Sequence, residues 1–220
     1  MNSRTLPLRL LSCLFLGMLV FGAVVEQASG APSISKLSVQ GLRIAGPTRI
    51  VIDGGELLPN PQIVLPFPVT SQELQPGGTA ARVEIEIVLG EEVPVGIYQL
   101  RVATDSGISN PQPVGVDHLP QSLLQDTLET LPAALSGSVV ANQSLRIRFS
   151  GKRGQRVVID VEARRLGSVL DPVVRLLNPR GTQFAWSPPR PLLAGDARCA
   201  TELTEAVSYT HLTLPTTPYV

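Results

Sequence analysis

Cysteine, histidine and aromatic residues are scarce in this 220-residue chain, which has two cysteines, two histidines and 4% aromatic side chains. Cys13 lies in the N-terminal apolar segment and Cys199 has no second cysteine near it in the sequence, so we expect neither an internal disulfide nor a cysteine metal site. Basic and acidic residues balance at 18 each, with no block of either sign. This balance argues against nucleic acid or an anionic membrane as a long-range electrostatic partner.

Residues 1–30 have the pattern of a secretory signal peptide. Two arginines precede an apolar run at 10–25, and small residues follow at 28–31. The run is shorter than the roughly 20 residues of a membrane helix, so we expect cleavage near residue 30 rather than a retained anchor. A lipoprotein site at Cys13 is the minor alternative, because the apolar run continues past that cysteine. The sequence therefore predicts export to the periplasm, the cell surface or the medium, with no membrane span after signal cleavage.

The tail at 207–220 reads Val-Ser-Tyr-Thr-His-Leu-Thr-Leu-Pro-Thr-Thr-Pro-Tyr-Val and resembles the translation of a sequencing-adapter oligonucleotide. We interpret it as an artefact and expect the natural protein to continue past Ala206. The alternative is a natural final strand, since Thr and Tyr favour strands. On the adapter interpretation His211 has no functional meaning.

Short alternating apolar runs separated by Gly and Pro predict an all-β fold. In the first unit, 31–117, we expect strands at 34–39, 49–52, 62–65, 82–88 and 98–104, the last two forming a hairpin. The segments Pro-Ser-Ile-Ser-Lys-Leu at 32–37, Ile-Val-Ile-Asp-Gly-Gly-Glu-Leu-Leu-Pro-Asn-Pro at 50–61 and the Gly-Ile-Tyr motif at 96–98 resemble an IPT/TIG-type immunoglobulin-like domain. The resemblance implies an immunoglobulin-like sandwich in which Tyr98 pins a corner rather than stacking on a ligand.

Residues 118–130 predict a connection, either a short amphipathic helix or an extended linker. In the second unit, 131–206, we expect a hairpin of strands at 145–149 and 157–161, then strands at 173–177 and 183–186. The second unit resembles the bacterial pre-peptidase C-terminal (PPC-type) domain in Leu-Pro at 131–132, Lys-Arg-Gly-Gln at 152–155, Gly-Ser-Val-Leu-Asp-Pro at 167–172 and Asn-Pro-Arg-Gly at 178–181. The arrangement of both modules resembles exported proteins of planctomycete-type bacteria. The resemblance implies a jelly-roll-like β-sandwich, here truncated.

Catalytic and metal-binding patterns are weak in this sequence. His118 is the sole histidine outside the tail, and Ser109 lacks a nucleophile-elbow motif, so we read that serine as a hairpin end. Many domains of the PPC type carry an acidic pair where this chain has Trp186-Ser187-Pro188, which makes calcium doubtful. Asp171 is a weak candidate for a cation site and a better one for a cap on backbone amides. We expect no cofactor and no catalytic set.

Trp186 and Arg190 are the candidate ligand-binding residues. A sole tryptophan usually contributes core area, which favours docking within the domain; the alternative is an exposed aromatic ledge for a sugar ring or a proline-rich partner. The basic pair Arg164-Arg165 indicates a solvated turn or a structural ion pair.

The leading hypothesis is a non-catalytic exported binding or spacer protein, with extracellular polysaccharide or protein as its partner and no nucleic acid. One alternative is the N-terminal accessory region of a truncated secreted hydrolase or peptidase. A purely structural wall or matrix repeat is the third hypothesis.

Overall fold

The computed structural model describes residues 30–139, 144–204 and 207–213, the last range as backbone only. The predicted signal peptide, apart from its last residue, lies outside the described residues. The described chain consists of β-strands, turns and short 3-10 turns at Arg164–Leu166 and Pro191–Leu193. Within these ranges, no helix has the length and apolar character needed to cross a bilayer. The predicted all-β sandwich class is confirmed.

The N-terminal sandwich contains nine strands in two sheets. In chain order they are β1 (Ser33–Leu37), β2 (Gly41–Arg43), β3 (Pro47–Gly55), β4 (Gln62–Val64), β5 (Val69–Leu74), β6 (Arg82–Leu89), β7 (Gly96–Thr104), β8 (Gly107–Ile108) and β9 (Gln112–Asp117). One sheet has the order β1-β3-β6-β5, and the other has the order β2-β9-β7-β4 with β8 paired to β7. The two sheets enclose one hydrophobic cluster.

Alternation along the strands explains why these sheets stack. On β6, Val83, Ile85 and Ile87 are each 1% exposed, whereas the two glutamates between them are only half-buried. Ile50 and Ile52 on the neighbouring β3 are fully buried. Each strand therefore presents one apolar face to the core and one polar face to water.

The predicted hairpin of 82–88 with 98–104 is wrong. β6 pairs with β3 and β5, whereas β7 pairs with β4, β8 and β9 in the opposite sheet. The connection between β6 and β7 therefore crosses the core. Alternation identifies which side chains face inward, but it does not distinguish a paired neighbour from a strand stacked across the sandwich.

The connection at 118–130 is extended rather than helical. It contains β10 (Gln121–Leu123) and β11 (Thr127–Leu128), which pair in parallel with β12 (Ala134–Ser136) and β13 (Ser144–Ser150). Neighbouring strands supply hydrogen-bond partners for the backbone of this short segment. A helix of this length would have little stability by itself.

The C-terminal sandwich is completed by β14 (Arg156–Asp160), β15 (Val173–Leu177), β16 (Gln183–Ser187), β17 (Arg198–Glu202) and β18 (Val207–Thr213). Five strands form a sheet of order β11-β13-β18-β15-β16, and β14 pairs with β17. Between them lies a second cluster that includes Phe149, Leu176 and Leu203. The predicted hairpin of 145–149 with 157–161 is wrong for the same reason as the first: β13 and β14 belong to different sheets.

The segment Val207–Thr213 occupies a central position in the five-stranded sheet. Its backbone pairs antiparallel with β13 on one side and β15 on the other. The sequence interpretation left this segment out of the fold. Its origin as adapter translation stays a prediction, but its strand-favouring residues pair as the alternative interpretation expects.

Candidate functional site

A tight hairpin of β15 and β16 positions the sole tryptophan. The side chain of Asn178 closes the turn, because its Oδ1 accepts hydrogen bonds from the backbone N–H of Arg180 at 3.1 Å and of Thr182 at 2.9 Å. Gly181 follows in the left-handed conformation, with φ of 81°, which glycine adopts without steric cost. The turn sets the register of the two strands.

In that register Trp186 lies directly opposite Arg175. Directly opposed residues project from the same face of a sheet, with Cβ atoms about 5 Å apart. Trp186 is 57% exposed and Arg175 is exposed, whereas Val174 and Leu176 on either side of the arginine are fully buried. The sequence expectation that Trp186 docks within its domain is wrong. The indole is exposed, as the alternative requires, and its use as a ledge for a ligand stays a prediction.

Two more arginines extend this surface. Arg146 and Arg175 each pair with the backbone of position 211 in β18, so they lie in one line across the sheet, about 10 Å apart. Arg148 is two residues further along β13 than Arg146 and is exposed on the same side of the sheet. Ile147 and Phe149, which alternate with these arginines along the strand, are buried. We call this surface, formed by Arg146, Arg148, Arg175 and Trp186, the arginine–tryptophan face.

The strands that carry this face hold basic but no acidic residues. The strand sequences Ser-Leu-Arg-Ile-Arg-Phe-Ser, Val-Val-Arg-Leu-Leu, Gln-Phe-Ala-Trp-Ser and Val-Ser-Tyr-Thr-His-Leu-Thr contain no acidic residue. Arg146 and Arg175 form no ion pair with any residue that the structure describes. Arg146 and Arg175 therefore offer guanidinium groups whose hydrogen-bond donors remain available to water or a ligand.

Arg190, the second candidate from the sequence, does not join this face. Its Nε donates a 3.1 Å hydrogen bond to Oγ of Ser187, a residue with no exposed surface. Ser187 follows Trp186 on β16, and successive strand residues point to opposite sides. The structure thus separates the two predicted ligand-binding residues and places Arg175 beside Trp186 instead.

The arginine pair 164–165 is bound to carboxylates. Arg164 donates from Nε and from a terminal nitrogen to Asp171 Oδ1, at 2.9 and 2.5 Å, so Asp171 forms an ion pair rather than the predicted amide cap. Arg165 contacts three acids: Asp160 at 2.9 Å, Glu162 at 3.3 Å and Asp196 at 2.7 Å. The predicted structural ion pair is confirmed. A guanidinium occupies the point where these three carboxylates converge, and no group of possible metal ligands occurs among the described residues.

Asp196 performs the capping role that the sequence analysis assigned to Asp171. Its carboxylate is fully buried and accepts hydrogen bonds from the backbone N–H groups of Ala163, Arg164 and Arg165. Burial alone would raise the pKa of Asp196, but the hydrogen bonds from Arg165 and these backbone amides outweigh it and lower the pKa below its ordinary value. The sequence around 196 carries no motif that identifies this residue in advance.

The remaining sequence candidates have structural roles or lie in solvent. Tyr98 donates a 3.0 Å hydrogen bond to the carbonyl of Pro94, and its ring meets Phe67 edge-to-face with centroids 4.9 Å apart, as a corner tyrosine should. Ser109 is buried and bonds the backbone of Val102 and Asn110. His118 is exposed.

A shallow apolar cleft of about 260 Å³ lies at the edge of the N-terminal sandwich. It is lined mostly by the loop before β5 and the loop between β6 and β7, including Phe67, Pro68 and Pro94. The cleft adjoins the Tyr98 corner, so the same apolar residues support the fold there.

Comparisons with known proteins give no family. No protein-family model matches the chain, and no curated protein matches it. Among solved structures, it is similar to SGBP-B of the Bacteroides ovatus mixed-linkage glucan utilization locus, in complex with a mixed-linkage heptasaccharide, at a TM-score of 0.29 and 13% identity. The match covers 81% of this chain and 35% of that protein, so the chain spans about a third of its length. A likeness of this size carries no argument about function.

Proposed function

We propose that this chain is an exported, non-catalytic module that binds extracellular polysaccharide through the arginine–tryptophan face. The observation that carries the proposal is the exposure of Trp186 beside Arg175 on a sheet face. The export half of the proposal rests on the signal-peptide pattern at 1–30. We also propose that the two units are IPT/TIG-type and PPC-type domains, which their sequences resemble.

An exposed indole has a physical use on such a surface. Leaving a large apolar ring 57% exposed forgoes part of the burial free energy that the core would supply. The flat ring can recover that free energy by covering the apolar face of a sugar, while neighbouring guanidinium donors bond its oxygens. Tryptophan and arginine are also the residues enriched at binding hot spots.

Rigid support favours binding over chance exposure. Trp186 lies in a hairpin whose turn is closed by Asn178. Val174 and Leu176 on the paired strand β15 are fully buried and hold that strand against the core. A ligand would therefore lose little free energy in ordering this surface.

The absence of catalysis is proposed from the roles of the reactive groups. The hydroxyl of Ser109 bonds backbone groups on both sides, and Asp160, Glu162, Asp171 and Asp196 pair with arginines. These contacts are structural, and none of them places a nucleophile next to a base.

The test is affinity gel electrophoresis of the chain and its Trp186→Ala variant through gels containing a panel of soluble polysaccharides. We expect at least one polysaccharide to retard the chain, and W186A to lose about tenfold or more in affinity. Leu192→Ala is the matched control, because Leu192 is 98% exposed on a 3-10 turn outside the face. Retardation that is equal for W186A and the unchanged chain, or no retardation by any polysaccharide, would overturn the proposal.

A further inference from the structure

We infer that the ligand of the arginine–tryptophan face is an anionic polysaccharide, in which sugar rings carry carboxylate or sulfate groups. The inference rests on the proposed function and specifies its ligand class. It derives from the distribution of charge on the C-terminal sandwich, which differs from that on the N-terminal one.

Exposed arginines of the N-terminal sandwich are neutralised by carboxylates on adjacent strands. Arg49 on β3 pairs with Glu86 on β6 at 2.8 Å, and Arg82 pairs with Asp53 at 2.7 Å. Such cross-strand pairs are the ordinary arrangement for a solvated sheet face. On this sheet face the exposed arginines are therefore neutralised by the chain's own carboxylates.

The arginine–tryptophan face departs from that arrangement. Its four strands hold no acid, and within the described part of the chain Arg146 and Arg175 lack a carboxylate partner. Placing like charges on one sheet face costs free energy through repulsion, although water screens it. An anionic ligand would convert that repulsion into attraction, so charge complementarity identifies the sign of the ligand.

The spacing of the groups indicates a sugar polymer. A ring stacked on Trp186 would place its substituents beside Arg175, about 5 Å away, where the planar guanidinium can hold a carboxylate by two parallel hydrogen bonds. Arg146 lies about 10 Å further along the same line and would contact a second anionic group. An exposed indole beside a row of arginines fits a polymer that repeats its charge.

Nucleic acid and acidic protein fit these observations less well. Single-stranded nucleic acid is usually bound by several aromatic side chains that stack successive bases, and this face presents one described tryptophan. An acidic peptide could pair with the arginines, but its carboxylate side chains offer no flat ring on which the indole of Trp186 could stack. Both remain as arms of the test.

The experiment measures binding of the chain by isothermal titration to polygalacturonate, fully methyl-esterified polygalacturonate, poly-L-glutamate and single-stranded DNA. Esterification keeps the sugar and removes the charge, whereas polyglutamate keeps the charge and removes the sugar. We expect polygalacturonate to bind at least about tenfold more tightly than each of the other three, with affinity falling as salt rises.

Arg175→Gln and, independently, Arg146→Gln should each weaken polygalacturonate binding by about tenfold or more and leave the residual binding less sensitive to salt. Both arginines are exposed, so the variants should fold normally. Arg153→Gln removes the same charge from the exposed turn after β13 and should leave binding unchanged.

The outcomes separate the two proposals. If esterified and free polygalacturonate bind equally, the anionic inference fails while polysaccharide binding stands. If polyglutamate or DNA binds as tightly as polygalacturonate, the face is a general anion or nucleic-acid surface and the inference is overturned. If no sugar polymer binds here or in the gel panel, both proposals fail together.

Discussion

Arg165 donates a 2.7 Å hydrogen bond from Nε to the carboxylate of Asp196, which has no exposed surface. The pair joins the 3-10 turn at Arg164–Leu166 to the residues just before β17. Because the backbone N–H groups at 163–165 point at the same carboxylate, one side chain fixes the whole turn. The stability of the C-terminal sandwich should therefore depend on the charge of Asp196.

Asp196→Asn should destabilise the C-terminal sandwich by about 3 kcal/mol, since it leaves Arg165 without its buried partner. The lowered pKa of Asp196 stabilises the folded state above the ordinary carboxylate pKa, and that contribution is lost as the pH falls below about 4. Urea unfolding between pH 3 and 7 should show a loss of stability at low pH that is reduced in D196N. Exposed Asp171→Asn is the control and should cost about 1 kcal/mol or less; an equal cost for both variants would contradict the assigned role.

The effect of Glu162→Gln on stability should change with pH in the opposite direction to that of Asp196→Asn. Burial raises the pKa of Glu162, Arg165 lowers it, and Asp160, Asp117 and Asp196 raise it, with a net increase. The folded state therefore holds this proton more tightly than the unfolded state, and stability falls as the pH rises from about 4.3 through the folded pKa. The stability of E162Q relative to the unchanged chain should be higher at pH 7 than at pH 4. A difference that is constant with pH would refute the burial effect.

Tyr98→Phe should cost the N-terminal sandwich about 1 kcal/mol, because it removes the hydrogen bond to the Pro94 carbonyl and keeps the ring. Tyr98→Ala should cost about 3 kcal/mol or more, since it also removes the edge-to-face contact with Phe67. Calorimetric melting of both variants gives the comparison. If Y98F melts like the unchanged chain, the hydroxyl does not pin the corner.

Cys199 should be unreactive until the C-terminal sandwich opens. The residue is 4% exposed in β17, and burial raises the pKa of its thiol, with a smaller opposing effect from Arg190. We expect its reaction with an aromatic disulfide reagent at pH 8 to be at least ~100-fold slower in the native protein than in denaturant. Rapid labelling of the native chain would mean that β17 does not cover this thiol.

The sequence identified many of the strands, missed others such as β5 and β9, and did not identify their partners. Alternation at 82–88 identified Val83, Ile85 and Ile87 as inward, and all three are buried. Pairing is a property of two segments, and the hydrophobic pattern is the same whether those segments share a sheet or face each other across a core. Both predicted hairpins are therefore wrong because their strands lie in opposite sheets, whereas the tight Asn-Pro-Arg-Gly turn at 178–181 joins strands that do pair.

The site could be predicted only in part for a related reason. Trp186 is visible in the sequence as the sole tryptophan, but its exposure depends on register with β15, which no local pattern reports. Arg175 was missed because a single arginine within an apolar strand gives no signal of its neighbours across the sheet. Arg190 was favoured because it is close to Trp186 in sequence, yet strand alternation places its partner Ser187 on the other side.

Fluorescence of Trp186 during titration with polygalacturonate tests the central claim most directly, because the chain has one tryptophan and all indole emission reports this site. The free protein should show solvent-exposed emission that iodide quenches readily. Saturating polygalacturonate should shift the emission to the blue and protect it from iodide, and R175Q should need about tenfold more polymer for the same change. Emission that is already shielded in the free protein, or that stays unchanged at saturating polymer, would contradict a ligand-binding role for the arginine–tryptophan face.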